Sequence, residues 1–142
     1  MSGFLLDTNI LSEFKRRGEP SPKVASWLKA TDPDLLWVSV LSFGEIRKGI
    51  NRLAPGKRRT ELQQWLADDL EEWFEGRLLP ITKGIADKWG ILSARSLDQG
   101  TPLPSIDGLI AATALEHDLT LVTRNVRNFA GIPLAVFNPW DE

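Results

Sequence analysis

The 142-residue chain contains no cysteine. That excludes a disulfide framework, a thiolate zinc site and a thiol nucleophile. It contains a single histidine, His117, so no second imidazole is available for a histidine-based metal site. Any metal has to be held by oxygens, which favours Mg²⁺ or Mn²⁺ over Zn²⁺. Charge of one sign is also lacking: the formal net charge is −2, so no global attraction to nucleic acid is expected. No apolar run is long enough to span a bilayer; the most apolar stretch, residues 35–44, falls well short. The chain reaches Asp7 without a basic leader, unlike a signal peptide, and a cytoplasmic location is expected, with no membrane partner. There is no internal repeat, low-complexity tract or linker, and the length suits one domain, residues 1–142.

What is present alternates between strand-like and helix-like segments. Residues 3–6 read as a first strand and residues 35–40 as a second, buried one. Residues 78–81, 120–123 and 134–137 complete the set. Between them lie helical patterns at 8–15, about 22–30, 41–53, 58–75, 82–98 and 105–117. Gly76 is placed to stop the fourth of these. Strands separated by helices predict an α/β fold of three layers, a parallel sheet of about five strands with helices on both faces. Residues 41–75, between the second and third strands, form a longer helical arm. Basic residues recur in local clusters, Lys15-Arg16-Arg17, Arg47-Lys48, Lys57-Arg58-Arg59 and Arg124 with Arg127. Such clusters hold phosphates locally even on an acidic protein. Trp65 and Trp73 follow helical spacing and read as packing residues, whereas Trp27 and Trp140 read as candidates for partner contact. His117 reads as a helix C-terminal cap.

Three carboxylates stand at helix starts. Asp7 directly follows the apolar run Phe4-Leu5-Leu6, where a strand gives way to a helix. Its ordinary role there is to cap the helix. Glu45 lies opposite the Phe43/Ile46/Ile50 stripe of its helix, beside Leu41 and Gly49. Asp107 falls in the first turn of a helix that Ser105 is placed to cap, yet its helical angle puts it near Ile110, Ala111 and Ala114. An inward-facing carboxylate is costly unless paired or bound to a cation. In an open α/β sheet, ligands gather at the carboxyl ends of the strands. If the first, second and fourth strands are neighbours, all three acids meet at that edge, where a divalent cation would offset their mutual repulsion.

Four stretches of the chain resemble the PIN-domain family, and within it the VapC- or FitB-like toxins of toxin–antitoxin pairs. They are Phe4-Leu5-Leu6-Asp7-Thr8-Asn9, Ser42-Phe43-Gly44-Glu45-Ile46-Arg47-Lys48-Gly49, Ser105-Ile106-Asp107-Gly108-Leu109-Ile110-Ala111-Ala112-Thr113-Ala114 and Leu121-Val122-Thr123-Arg124-Asn125-Val126-Arg127-Asn128-Phe129. They occur in order over nearly the whole chain. The resemblance implies an acidic pocket for Mg²⁺ or Mn²⁺, endoribonuclease activity on RNA phosphodiesters, a homodimer, and inhibition by a small cognate antitoxin. Asp7, Glu45 and Asp107 take the family's acidic, metal-binding positions, with Asn125 as a further catalytic residue. Thr8, Asn9, Arg47, Thr123 and Arg124 are the expected substrate-contacting residues. One departure stands out: where relatives commonly carry a further acid, this chain has Asn128, which points to one firmly held metal rather than two. The competing expectations are a PIN nuclease of RNA processing without an antitoxin, and a catalytically silent binding module. An aspartyl phosphatase is disfavoured because Asn9, two positions after Asp7, leaves no acid to protonate the leaving group.

Overall fold

The computed structural model describes residues 3–15 and 21–141. The expected basic residues Arg16 and Arg17, and the loop residues Glu19 and Pro20, lie outside the described residues. A five-stranded parallel sheet forms the middle layer, from β1 (Phe4–Leu6), β2 (Leu36–Ser39), β3 (Leu78–Leu79), β4 (Thr120–Val122) and β5 (Val136–Phe137). Their order across the sheet is β3-β2-β1-β4-β5, every neighbouring pair parallel. The apolar run of β1 occupies the central position because a middle strand of such a sheet is covered on both faces. Leu5 and Leu6 point to opposite faces and are both fully buried.

Each face carries its own core. One contains Leu6, Leu36, Val38 and Val122 of the sheet, packed under α1 (Thr8–Ser12), α2 (Pro22–Ala30), α3 (Val40–Asn51) and the helical stretch that follows α3. The other contains Leu5, Leu79 and Leu121 under α6 (Lys83–Asp98) and α7 (Ser105–Glu116). The chain winds outward from β1 to β3 along one half of the sheet, then crosses back to place β4 and β5 on the other side of β1. The direction of winding reverses between β1 and β4, and the crevice at such a reversal is where open α/β sheets bind ligands.

The second half of the helical arm, after a break at residues 52–56, is one continuous rod with a change of pitch inside it. The expected helix over 58–75 begins as α4 (Lys57–Gln64), widens to a π-helical stretch over Trp65–Leu70 and ends as α5 (Glu71–Trp73). The wider turn sets Trp65 and Leu70, five residues apart, on the same buried face. Gly76, at φ +81°, ends the rod as expected.

Several boundaries differ from the sequence reading for local reasons. Strand β3 stops at Leu79 because Pro80 has no N–H to donate to a ladder. Strand β5 starts only at Val136, since the Leu134 N–H is already used in a turn to the Ile132 carbonyl at 2.7 Å. Helix α7 is preceded by Pro104, not capped by Ser105: Ser105 is its first helical residue and makes no capping hydrogen bond. His117 is the C-terminal cap residue of α7, its N–H bonding the Thr113 carbonyl at 3.2 Å.

Two tryptophans exchange their expected roles. Trp27 is packed edge-on against Phe4, with ring centroids 5.2 Å apart, and tilted against Phe137 at 5.4 Å. It belongs to the core on that face of the sheet rather than to a partner surface. Trp73 is 48% exposed and lies 5.4 Å from the exposed ring of Phe14.

Candidate active site

Asp7 is the first residue beyond β1, and its N–H closes the ladder by bonding the Val122 carbonyl of β4 at 2.9 Å. Its side chain does cap α1, Oδ1 accepting the Thr8 N–H at 2.8 Å. The same carboxylate also serves the site, because the cap uses only one oxygen. Oδ2 turns into the crevice between β1 and β4 and accepts the hydroxyl of Thr123 at 2.8 Å. Asp7 is only 5% exposed. Burial pushes its proton affinity above the ordinary carboxylate range, and the fields of Asp107 and Glu45 add to that rise. The bonds from Thr123 and the Thr8 N–H oppose it without overcoming it.

Thr123 follows β4 and is completely buried. Besides donating to Asp7, its hydroxyl oxygen accepts from Asn9 Nδ2 at 3.2 Å and from the Asn125 N–H at 3.1 Å. Asn9 Oδ1 in turn accepts the Arg124 N–H at 3.3 Å. These bonds tie the start of α1 to the loop after β4, so the two sequence-distant polar motifs form one wall.

The opposite wall comes from α3. Helices in a parallel α/β layer run against the strands, which places their first turns at the strands' carboxyl edge. Glu45 stands in the second turn of α3, half-buried, and Oε1 accepts the Thr8 hydroxyl at 2.6 Å. Ser42 Oγ lies 3.1 Å from the same Thr8 oxygen. Ser42 is fully buried and was not among the expected site residues. Its position three residues before Glu45, one turn back on the same helix face, was the available signal.

The third acid comes from α7. Asp107 is half-buried, and Oδ2 accepts from Asn128 Nδ2 at 3.1 Å. Burial raises its proton affinity first, Glu45 adds to the rise, and the Asn128 bond lowers it. Asn128 therefore works as a donor to an acid rather than as a substitute for one. Asp107 and Glu45 both raise the proton affinity of Asp7, and Glu45 that of Asp107, so these acids, up to 100 residues apart in sequence, lie near enough for their charges to interact. Arg47 is not part of it: two positions beyond Glu45, it lies on a different side of α3 and is exposed, without a hydrogen bond to any site residue.

Among the described residues, no three acids form a closed metal cage. The donors present, carboxylates with flanking hydroxyls and amides, are nonetheless the oxygen chemistry a hard cation takes. Mg²⁺ is usually held by only one or two carboxylates, with water and substrate phosphate completing its octahedron. The arrangement fits such a hydrated ion.

Two hollows lie beside the site, one lined by Glu45 and the other by Asn128, the partner of Asp107. One, of about 260 Å³, lies among α1, α3 and α4, with Glu45, Ile50, Leu62 and Trp65 on its lining and Lys15 and Arg58 at its rim. The other, of about 370 Å³, lies beyond Asn128 and includes Arg124 and Arg127. A larger hollow, about 510 Å³, sits at the end of the helical arm, but it contains none of the site residues. Its lining of Asp68, Glu71, Glu72 and Glu75 would repel a phosphate.

The sequence of residues 4–133 matches the family model described as PIN domain. The chain is 34% identical to Toxin FitB of Neisseria gonorrhoeae over 138 residues, covering 97% of this chain and 99% of that one. It is 33% identical to VapC ribonuclease Y4jK of Sinorhizobium fredii over 137 residues, covering 96% and 97% of the two chains. Among solved structures, it superposes on FitAcB from Neisseria gonorrhoeae with a TM-score of 0.91 at 34% identity, over 98% of this chain and 99% of that one.

Proposed function

This chain belongs to the PIN-domain family, and from that premise we propose that it is the ribonuclease toxin of a type II toxin–antitoxin pair. What supports the reading is that Asp7, which follows β1, Glu45 of α3 and Asp107 of α7 lie near enough for their charges to interact, Asp7 being at the point where the sheet reverses direction. The similarity to a toxin and to a ribonuclease over nearly the full chain supports the same conclusion.

The site would hold Mg²⁺ or Mn²⁺ through the carboxylates of Asp7, Asp107 and Glu45. When bound, such an ion would neutralise the carboxylates, polarise a phosphodiester and make an adjacent water more acidic. The chain's own residues do the rest. Thr123 and the Thr8 N–H hold the two oxygens of Asp7 in fixed directions. Thr8 fixes Glu45, and Asn128 fixes Asp107. Asn9 and Asn125 would stand beside the scissile phosphate, hydrogen-bonding water or phosphate oxygen. Arg124, exposed at the end of this wall, would neutralise a neighbouring phosphate.

The hollow beside Glu45 supports the antitoxin part of the proposal. Its apolar floor suits the apolar face of an amphipathic helix, and it runs directly to an acidic site that an arginine or lysine could enter. Such a side chain would pair with the carboxylates and compete with the cation. For a homodimer, the exposed apolar residues Ile91 and Leu97 on α6 and Ile106 on α7 supply surface.

The test is cleavage of RNA by the purified full chain. Cleavage that needs a divalent ion, is stopped by chelator and is lost in Asp7→Asn supports the reading. Cleavage that survives Asp7→Asn in a homogeneous preparation refutes it. Growth arrest on induction should be relieved by co-expressing the adjacent small gene; relief by no neighbouring gene would leave a nuclease without an antitoxin.

A further inference from the structure

Near the end of the sequence lies Asn138-Pro139-Trp140-Asp141, a segment that the reaction described above does not use. It folds as a tight polar turn. The Trp140 N–H donates to Asn138 Oδ1 at 2.9 Å, Asn138 Nδ2 donates to Asp141 Oδ2 at 3.2 Å, and the Asp141 N–H bonds the Asn138 carbonyl at 3.2 Å. Trp140 packs one part of its ring on the core beside the sheet. Over the ring stands the guanidinium of Arg124, 5.2 Å from its centroid. Arg124 is exposed and makes no ion pair with a carboxylate among the described residues. It is the residue immediately after Thr123, the hydroxyl that holds Asp7.

Arg124 also lines the hollow of about 370 Å³ that contains Asn125, Arg127, Asn128, Asn138 and Asp141. One of its lining residues, Asn128, donates to Asp107, and another, Arg124, directly follows the Thr123 that holds Asp7, so the hollow adjoins the site on this side. Its charged groups are two guanidiniums against one carboxylate, which leaves it locally positive beside an acidic centre. A strand of RNA with its scissile phosphate at the carboxylates has its next phosphate within reach of such a neighbour. An unanchored arginine samples many rotamers, whereas a planar guanidinium lying on an aromatic face is confined and stays charged.

We propose that Trp140 is a positioning residue for RNA binding: its ring holds Arg124 at the mouth of this hollow, where the guanidinium meets the phosphate flanking the scissile bond. The proposal rests on the nuclease reading of the site and adds to it a subsite built by the C-terminal turn. Arg124 contacts the substrate; Trp140 acts only through Arg124.

The test uses the full chain carrying Asp7→Asn, a short mixed-sequence single-stranded RNA with a fluorescent end, and anisotropy titrations across a range of KCl. Trp140→Leu, which keeps bulk without a π face, is expected to weaken binding about threefold to tenfold at low salt. It should also flatten the dependence of log affinity on log salt by about 0.7, the share of one single-strand phosphate contact. Trp140→Phe is expected to restore most of both. Arg124→Ala should reproduce the defect, and adding Trp140→Leu to it should cost nothing more, because the two act as one unit. Independent, additive losses overturn the proposal, as does a Trp140→Leu protein with the parent's affinity and salt slope. If Trp140→Leu does not melt cooperatively, Arg124→Lys decides. Lysine keeps the charge without the flat stack, so binding as weak as Arg124→Ala supports the role and parental binding removes it. The nuclease reading fails separately: it falls if the chain with Asp7 intact cleaves no RNA, whatever the tryptophan variants do.

Discussion

Replacing Thr123 by valine tests whether the buried hydroxyl, rather than the carboxylate alone, holds the site together. Valine has nearly the same shape, so the change removes three hydrogen bonds without opening a cavity. The hydroxyl donates to Asp7 Oδ2 and accepts from Asn9 Nδ2 and the Asn125 N–H. The two lost acceptor bonds are replaceable, because Asn9 is only half-buried and Asn125 is exposed, and water can reach both. The lost donor bond is not replaceable, because Asp7 is 5% exposed and its Oδ2 is left facing a methyl group. A hydrogen bond to a charged group contributes about 1.5–3 kcal/mol, and a neutral one about 0.5–1.5 kcal/mol. The added methyl returns about 0.8 kcal/mol of apolar burial. With the two replaceable bonds taken up by water, the expected cost at neutral pH is therefore about 1–2 kcal/mol, or roughly 3–8 °C in Tm for a chain of this size. Urea unfolding of the metal-free protein measures it. The pH dependence is equally specific. The Thr123 bond stabilises the ionised form of Asp7, so its charge-assisted share is present above the raised folded-state value of that acid. It disappears as pH falls through that value towards and below the ordinary 3.8. The gap between parent and variant should narrow in acid. Nuclease activity should fall about 10- to 100-fold, the usual loss when a group orienting a ligand is removed. A stability change under about 0.5 kcal/mol, or a gap that is the same at neutral and acid pH, would refute the reasoning.

Asp7→Asn should abolish cleavage while leaving the metal-free protein at least as stable as the parent near neutral pH. The sign follows from the raised folded-state proton affinity of Asp7: its contribution is favourable below the unfolded value and is lost as pH rises through the folded one. Calorimetric melting in the absence of divalent ions checks this. Adding Mg²⁺ or Mn²⁺ at about 100 times its dissociation constant should stabilise the parent by about 2.7 kcal/mol and Asp7→Asn far less; equal shifts would remove Asp7 from the ligand set. Glu45→Gln should weaken the cation's affinity in isothermal titration, and an unchanged affinity would exclude a ligand role. Gly108→Ala would place a methyl 2.9 Å from Trp89 Cδ1, where α6 meets α7 beside Asp107. It should cost about 1–3 kcal/mol in chemical unfolding, and a neutral result would show that the two helices separate without penalty.

The motifs around Asp7, Glu45 and Asp107, and the alternation of apolar and amphipathic segments, were legible because both depend on residues near in sequence. An apolar triplet ending in an acid, a stripe at helical spacing and a glycine at a helix end each express a local rule of the backbone. The same rules explain where the reading stopped. The ends of β3 and β5 were set by Pro80 and by a turn at Leu134, and the change of pitch after Gln64 by which side chains the core could accept. Local spacing assigned Trp27 to a partner and Trp73 to packing, and the structure reversed both, because burial is decided by what stands opposite a side chain.

The sequence by itself determined the parallel α/β layers, since buried strands and one-sided helices have few other ways to remove their apolar surface from water. It also singled out Asp7, Glu45 and Asp107 as candidates, because a carboxylate at a strand end is either a cap or a ligand. Only the tertiary structure decided that Asp7 caps α1 with one oxygen and accepts the Thr123 hydroxyl with the other. It alone put Ser42 beside Thr8, tied Asn128 to Asp107 and laid Arg124 on Trp140. Those contacts join residues up to 34 positions apart, and the Asp7–Thr123 bond joins residues 116 apart; no spacing along a chain specifies them, and the last follows from the strand order, which brings β1 and β4 together at the point where the winding reverses.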